Sequence, residues 1–521
     1  SLEHVRPLLA GRTFVQLGGR TSQPATTPPS RARAPPKSLT TVAEVPIRPG
    51  SLVLTVLLVA PLNGCTTNPA NEGATQATRI TIGACPGEPV PSELTVTCHR
   101  VEVEGASISV AVLHAPDPTG NPVLFLHGGP GGRAVADRYR WLTPRSELLD
   151  THDVVLVDQR GGGDSTPSMD CPEMERPDAG EAVLAGDRTC RDRLIKGGID
   201  PSSVNVEQIA IDLVAVRQAL GIDRWHLHGV SFGSRVALEL MRRDESAIVS
   251  AVLDSVVPPD ADETADLPQG ILAALLALEG RCTGDRSCPS GVVEPLRGVL
   301  NHLKVDPVVV QVDDRSFTVD DTAFLAAGVE TLGRPDGPAL LPEALKMATD
   351  DRLAEAMAML ISAETTIVGS TRSAVSDSEA TRNRNTGDRL AEGAWVAVTC
   401  GDQLPGMSFE PTNVNDPIHR AEHSRWVALR ARCAAWQVAP TAHSTRLPVS
   451  SPVPTLILAG DLDPVTPSSW ARSVARHLDD STVVTSSRWT HAPSTWDRCA
   501  THLTVRFLAT GERPSGPSPD C

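Results

Sequence analysis

The sequence predicts an α/β protein, a mostly parallel sheet with helices on both faces, interrupted late in the chain by a large and mainly helical insertion. Three observations predict it. Continuous apolar runs at 122–126, 154–157, 225–230, 248–253 and 454–459 suit strands buried on both faces of a parallel sheet. Between them lie segments with helical apolar spacing, above all Ile209 to Leu220 closed by Gly221, and such alternation builds β-α-β units. From 256 to 451 the pattern changes to helices (267–278, 323–331, 340–347, 353–361 and 425–436) before strands resume at Pro454.

The N-terminus reads as an address. Residues 1–50 are rich in Pro, Arg, Ser and Thr without hydrophobic period, which predicts a disordered or mis-annotated extension whose true start lies near Val45. Residues 51–65 hold the apolar run Leu52 to Ala60, too short for the about 20 residues of a membrane span but suited to a secretory h-region. It ends in Leu62-Asn63-Gly64-Cys65, similar to a bacterial lipobox, which makes Cys65 the expected lipidation site and the cell envelope the expected location. The competing reading is a plain signal peptide and a secreted product.

With Cys65 set aside, ten of the eleven cysteines remain: 85, 98, 171, 190, 282, 288, 400, 433, 499 and 521. No C-x-x-C pair occurs, so no metal is expected, and oxidised pairing outside the cytoplasm is the better reading. Neighbour-to-neighbour pairing is the simplest of many connectivities, and the sequence does not choose among them. A net charge of −16 argues against nucleic acid as a partner.

After a linker (66–93), alternating segments at 94–103 and 107–114 predict a hairpin about Glu104-Gly105. The expected organisation is a first core part (94–255), a helical cap (256–451), a second core part (452–510) and a tail (511–521).

Four motifs carry chemistry. Gly229-Val230-Ser231-Phe232-Gly233 fits G-x-S-x-G between an apolar strand and a helix, a turn that exposes a serine nucleophile and needs small flanking residues. Alone the pattern is common; its context gives it weight. His127-Gly128-Gly129-Pro130-Gly131 follows a strand and offers backbone N–H groups for an oxyanion hole, Gly129 foremost with Gly128 beside it and Phe232 after the nucleophile. The rivals are a phosphate loop, which lacks the Gly-Lys-Ser/Thr ending, and a mere tight turn. Asp463, with Asp461 as competitor, follows a late strand and can orient a histidine. His491, after the last strand, can act as general base. Asp158-Gln159-Arg160-Gly161 reads as a glycine-rich turn beside the oxyanion loop, with no catalytic step.

With these motifs assembled, the chain resembles the proline iminopeptidase and tripeptidyl aminopeptidase branch of the α/β-hydrolases, in its exported actinobacterial form. The matching residues are His127–Gly131, Asp158–Gly161, Gly229–Gly233, Asp463–Pro467 and His491, and the likeness runs from about residue 94 to 508. Two departures stand out: Ala492-Pro493 follows His491 where relatives often have glycine, and Tyr139 is the single tyrosine. The resemblance implies the α/β-hydrolase fold, a Ser231-Asp463-His491 triad without cofactor, and release of N-terminal residues or short peptides from peptide or protein N-termini. It also implies a cap carboxylate for the substrate amine, with Asp402 and Glu330 as candidates. The alternatives are an esterase or lipase with the same triad, and an inactive envelope binding protein.

Overall fold

A computed structural model describes residues 79–514, apart from 88–89, 91–93, 142–145, 175–180, 283–290, 313–314 and 367–389. The chain begins with strands β1 (Ile80–Gly83), β2 (Thr95–Val103), β3 (Ala106–His114), β4 (Val123–Leu126) and β5 (Val154–Asp158). Helices α1 (Glu181–Lys196) and α2 (Val206–Ala219) lead to β6 (Trp225–Val230), α3 (Phe232–Asp244) and β7 (Ile248–Asp254). After a long insertion come β10 (Thr455–Gly460) and β11 (Ser481–Ser486). The described strands form one nine-stranded sheet in the order β1-β2-β3-β5-β4-β6-β7-β10-β11, antiparallel through β3 against β5 and parallel from β5 onward.

The unbroken apolar runs follow from burial on both faces. In β4, Leu124 and Leu126 enter one core with α2 and α3, while Val123 and Phe125 enter another with Trp141 and the helix Arg498–Thr510. β5 and β10 divide their side chains in the same way. With no solvated face, the strand period of two leaves no polar trace in the sequence.

The insertion carries its own core, in which Leu275, Leu296, Phe324 and Leu345 meet Leu462 from the loop after β10. Its helices α4 (Glu263–Cys282), α5 (Val293–Val305), α6 (Asp321–Gly333), α7 (Gly337–Thr349) and α8 (Leu353–Thr366) precede Glu392–Val398 and Pro417–Trp436. It also contains a hairpin, β8 (Val308–Val312) with β9 (Arg315–Val319), in an insertion whose sequence reading is mainly helical and assigns no strand there. Helix α5 escapes the sequence reading because Pro295 and Gly298 interrupt it. Pro295 falls in the first turn, where its missing N–H is tolerated, and Val293, Leu296, Leu300 and Leu303 are buried. Strand β1 lies inside the expected linker, paired with β2.

Disulfides join Cys85–Cys98, Cys171–Cys190 and Cys400–Cys433, each a neighbour pair. Cys282 and Cys499 are disulfide-bonded too, to partners outside the described residues. Cys65 and the apolar run before it also lie outside them. Among the described residues no helix is long and apolar enough to cross a membrane.

Candidate active site

Ser231 sits at the junction of β6 and α3 with φ 54° and ψ −124°, a conformation rarely adopted by residues with a side chain. Its N–H donates to the Asp254 carbonyl at 2.9 Å, which fixes the turn to the end of β7. The flanking glycines are required by space. A Cβ on Gly233 would lie 2.0 Å from the Leu126 oxygen, and one on Gly229 would lie 2.6 Å from the Gly233 oxygen. Strand, turn and helix are therefore in backbone contact, and Ser231 projects from the sharp bend between them.

The loop after β4 comes next to it. A Cβ built on Gly128 would meet Ser231 Cβ at 3.1 Å and Oγ at 3.6 Å. Gly129, expected to be foremost, is one step further along, with φ 119° and the Leu390 side chain against it. Phe232 opens α3 and its side chain is buried. His127 Nδ1 meets the carbonyl of Gly128 at 3.0 Å, which organises the loop locally. Gln159 Nε2 donates to the His127 carbonyl at 3.0 Å, so the turn after β5 braces the loop after β4. In the same turn the Arg160 guanidinium forms a buried two-pronged pair with Asp212, at 2.7 and 2.8 Å.

Asp463 and His491 meet although 28 residues separate them. His491 Nδ1 lies 2.9 Å from Asp463 Oδ2. The other carboxylate oxygen accepts the N–H groups of Val465 and Thr466 at 2.8 and 2.9 Å, and the Thr466 hydroxyl donates to Oδ2 at 2.6 Å. Asp461 instead makes a backbone bond from its N–H to the Ser486 carbonyl at 3.1 Å. Burial by itself would raise the Asp463 carboxyl, but the His491 charge and these donors hold it below the ordinary carboxylate range. Burial would likewise lower His491, yet the Asp463 charge and hydrogen bond, with a contribution from Asp254, hold the imidazole above its ordinary value. His491 is also fastened by its backbone: its N–H donates to the Gly333 carbonyl at 3.1 Å, and its carbonyl accepts Trp496 Nε1–H at 2.9 Å.

The two acids considered for amine binding go to different places. Asp402 is fully buried, and its Oδ2 accepts the Val206 N–H at 2.9 Å at the start of α2, facing Arg235. Glu330 is exposed on α6, one turn before the Gly333 carbonyl that holds His491. Three residues not singled out from the sequence also join this region: Gly333, Asp254 and Ser494. Asp254 has a readable signal, an acid closing a buried apolar strand, whereas Gly333 acts through a backbone carbonyl that any residue type could supply, and Ser494 through its N–H and a hydroxyl with no motif around it.

Such a serine, a supporting backbone loop and a carboxylate-oriented histidine can together perform acyl transfer. Residues 121–280 match the family described as alpha/beta hydrolase fold, and residues 420–520 match the family described as TAP-like protein. Over 476 residues the chain is 24% identical to serine protease Hip1 of Mycobacterium tuberculosis, covering 82% of this chain and 86% of that protein. It is 30% identical over 224 residues to a probable proline iminopeptidase of Streptomyces coelicolor, covering 43% of this chain and 60% of the relative. A proline iminopeptidase of Xanthomonas citri is 33% identical over 122 residues, 23% of this chain and 28% of its own length.

Proposed function

The chain belongs to the α/β-hydrolases, as a serine peptidase with a TAP-like C-terminal part, and from that premise we propose that it is an exported exopeptidase releasing N-terminal residues or short peptides. The observation that carries the reading is the 2.9 Å contact between His491 Nδ1 and Asp463 Oδ2, in a chain whose Ser231 is held at a positive φ beside Gly128.

In this mechanism Ser231 Oγ attacks the scissile carbonyl carbon while His491 Nε2 takes its proton. The charge on the carbonyl oxygen is met by backbone N–H groups of Phe232 and the 128–129 loop. The intermediate collapses with its C–N bond broken, and His491 returns the proton to the leaving amine. Water then attacks the acyl-enzyme with its proton passing to His491, and the Ser231 C–O bond breaks as that proton goes back to Oγ. Asp463 stabilises the imidazolium throughout and keeps Nδ1–H pointed at itself.

An exopeptidase needs a negative group for the substrate ammonium. Glu330 suits that role better than Asp402, because it is exposed to solvent one turn from Gly333, whereas Asp402 is fully buried beside the start of α2. Export and a lipid anchor at Cys65 belong to the same proposal; intact-mass analysis of the mature protein tests them, and an unmodified N-terminus other than Cys65 removes the anchor.

The activity is tested with chromogenic mono-, di- and tripeptides bearing free or acetylated N-termini, beside short-chain esters, using wild type and Ser231→Ala. Cleavage of free but not acetylated peptides, lost in Ser231→Ala, is expected. Equal cleavage of both removes the exopeptidase reading. Ester turnover alone identifies an esterase, and no turnover identifies a binding protein.

A further inference from the structure

A second carboxylate is bonded into the loop that follows the histidine. Asp254 closes β7 and is completely buried. Its Oδ2 accepts the Ser494 N–H at 2.8 Å, three residues beyond His491, and Ser494 also bonds it through the hydroxyl. Its Oδ1 accepts the Ser255 hydroxyl at 3.2 Å, and Ser255 Oγ in turn accepts the N–H of Ala492 at 2.8 Å. The Asp254 carbonyl meanwhile takes the Ser231 N–H. Asp254 thus connects the nucleophile turn with the segment that follows His491, directly at Ser494 and through Ser255 at Ala492. Ser255 and Ala492 in this network have positive φ values of 55° and 58°, so the loop holds a shape that free chain would rarely choose.

A buried acid is an expensive device for joining two loops, since a neutral side chain could accept the same N–H and hydroxyl bonds without desolvating a charge. What a neutral group cannot supply is negative charge. The titratable groups around Asp254 are His491, Asp463 bonded to that imidazole, and His228, which reaches Ser494 Oγ at 2.9 Å. Burial raises the Asp254 carboxyl to about 6, so it is ionised in the neutral to alkaline range in which a histidine base works.

We propose that Asp254 is a positioning residue for the Ser231 reaction: it locks the nucleophile turn to the His491 loop and places a second negative charge near the imidazole. This rests on the serine-hydrolase reading. During attack on the carbonyl, His491 becomes an imidazolium, and two buried carboxylates then stabilise it from different elements, Asp463 after β10 and Asp254 on β7.

The test is the pH profile of kcat and kcat/KM for Asp254→Asn, with wild type and Ser231→Ala in parallel, on a substrate that wild type turns over. Asparagine keeps the shape and accepts the Ser494 N–H through its carbonyl, but carries no charge. Removing a negative charge destabilises the imidazolium, so the acid limb moves to lower pH by roughly half a unit or more while kcat falls about tenfold and KM holds. An unmoved acid limb with unchanged kcat overturns the proposal. So does a loss of kcat that comes with no change in the profile, which marks a structural role alone. If Asp254→Asn does not fold, Ser255→Ala cuts the tie to Ala492; a several-fold lower kcat at constant KM supports the link, and an unchanged kcat overturns it. Absence of any Ser231-dependent turnover in wild type defeats the parent reading instead.

Discussion

His491 is held from three sides, by Asp463 at Nδ1, by the Gly333 carbonyl at its N–H and by Trp496 at its carbonyl. His491→Ala is expected to lose at least ~10³-fold in kcat, and Asp463→Asn a comparable amount, because the imidazole then lacks the acceptor that fixes its tautomer. Thr466→Val keeps the backbone donor to Asp463 and removes the hydroxyl that bonds Asp463 Oδ2 at 2.6 Å and meets His491 Nδ1 at 3.1 Å, so about a tenfold fall is expected. Steady-state kinetics on the peptide substrate that wild type prefers checks all three, and a Thr466→Val enzyme as impaired as Asp463→Asn contradicts the ranking. Since the base must be neutral and its pKa is raised, the acid limb of kcat/KM should lie above the ordinary histidine value of 6.5. A limb below that value contradicts the picture. Linkage has the opposite sense: the stabilisation from the His491 pair is full below the unfolded pKa and is lost as pH rises through the raised folded one. The residues in this constellation were legible because their chemistry demands particular types: a serine between glycines, an acid after a strand, a histidine before a helix. Asp402 and Glu330 were not separable in the sequence, because an acid in a cap segment looks the same whether it meets solvent, substrate or the start of a helix. Only packing separates those cases.

Strands β4 to β7 and β10 were readable because each is a short apolar run with a turn after it, and burial on both faces suppresses everything else. The insertion was harder, since β8 with its Val308-Val309-Val310 run and α5 with its Pro and Gly carry mixed signals that tertiary contacts resolve. One covalent clamp there makes a clean test. Cys400–Cys433 ties the segment after helix Glu392–Val398 to helix Pro417–Trp436. Replacing both cysteines by serine should lower stability by about 2–4 kcal/mol through the freed unfolded chain. Calorimetric unfolding at fixed pH measures it, and an unchanged Tm contradicts the clamp. At the β6–α3 elbow, Gly233→Ala should prevent accumulation of folded protein, because the added methyl meets the Leu126 carbonyl oxygen at 2.0 Å and backbone there cannot retreat. Wild-type expression and Tm for that variant contradict the close packing.

Burial raises several carboxyls above their ordinary range, among them Asp254 to about 6, and Asp158 and Glu263 to about 7. For such groups the folded state binds more protons than the unfolded one between the two pKa values, so they make stability fall as pH rises from about 4 through 7. Asp463 works the other way, its contribution present above the unfolded carboxylate pKa and lost only as pH falls through its lowered folded value. Glu263→Gln, which removes one of the raised groups, should therefore shrink the drop in Tm between pH 6 and pH 8. Thermal unfolding at both pH values checks this, and an unaltered drop contradicts it.

The hydrogen bond from the His491 N–H to the Gly333 carbonyl joins the last turn of α6 to the residue proposed as base. That makes the amide proton at 491 a reporter of cap position: it exchanges with deuterated solvent only when the insertion lifts from the core or the loop opens locally. A slow inhibitor bound at Ser231 should retard that exchange while leaving amides in β6 unchanged. A cap that lifted to admit peptides would in this way also release its hold on the proton carrier, so that one hydrogen bond couples entry of substrate to readiness for chemistry.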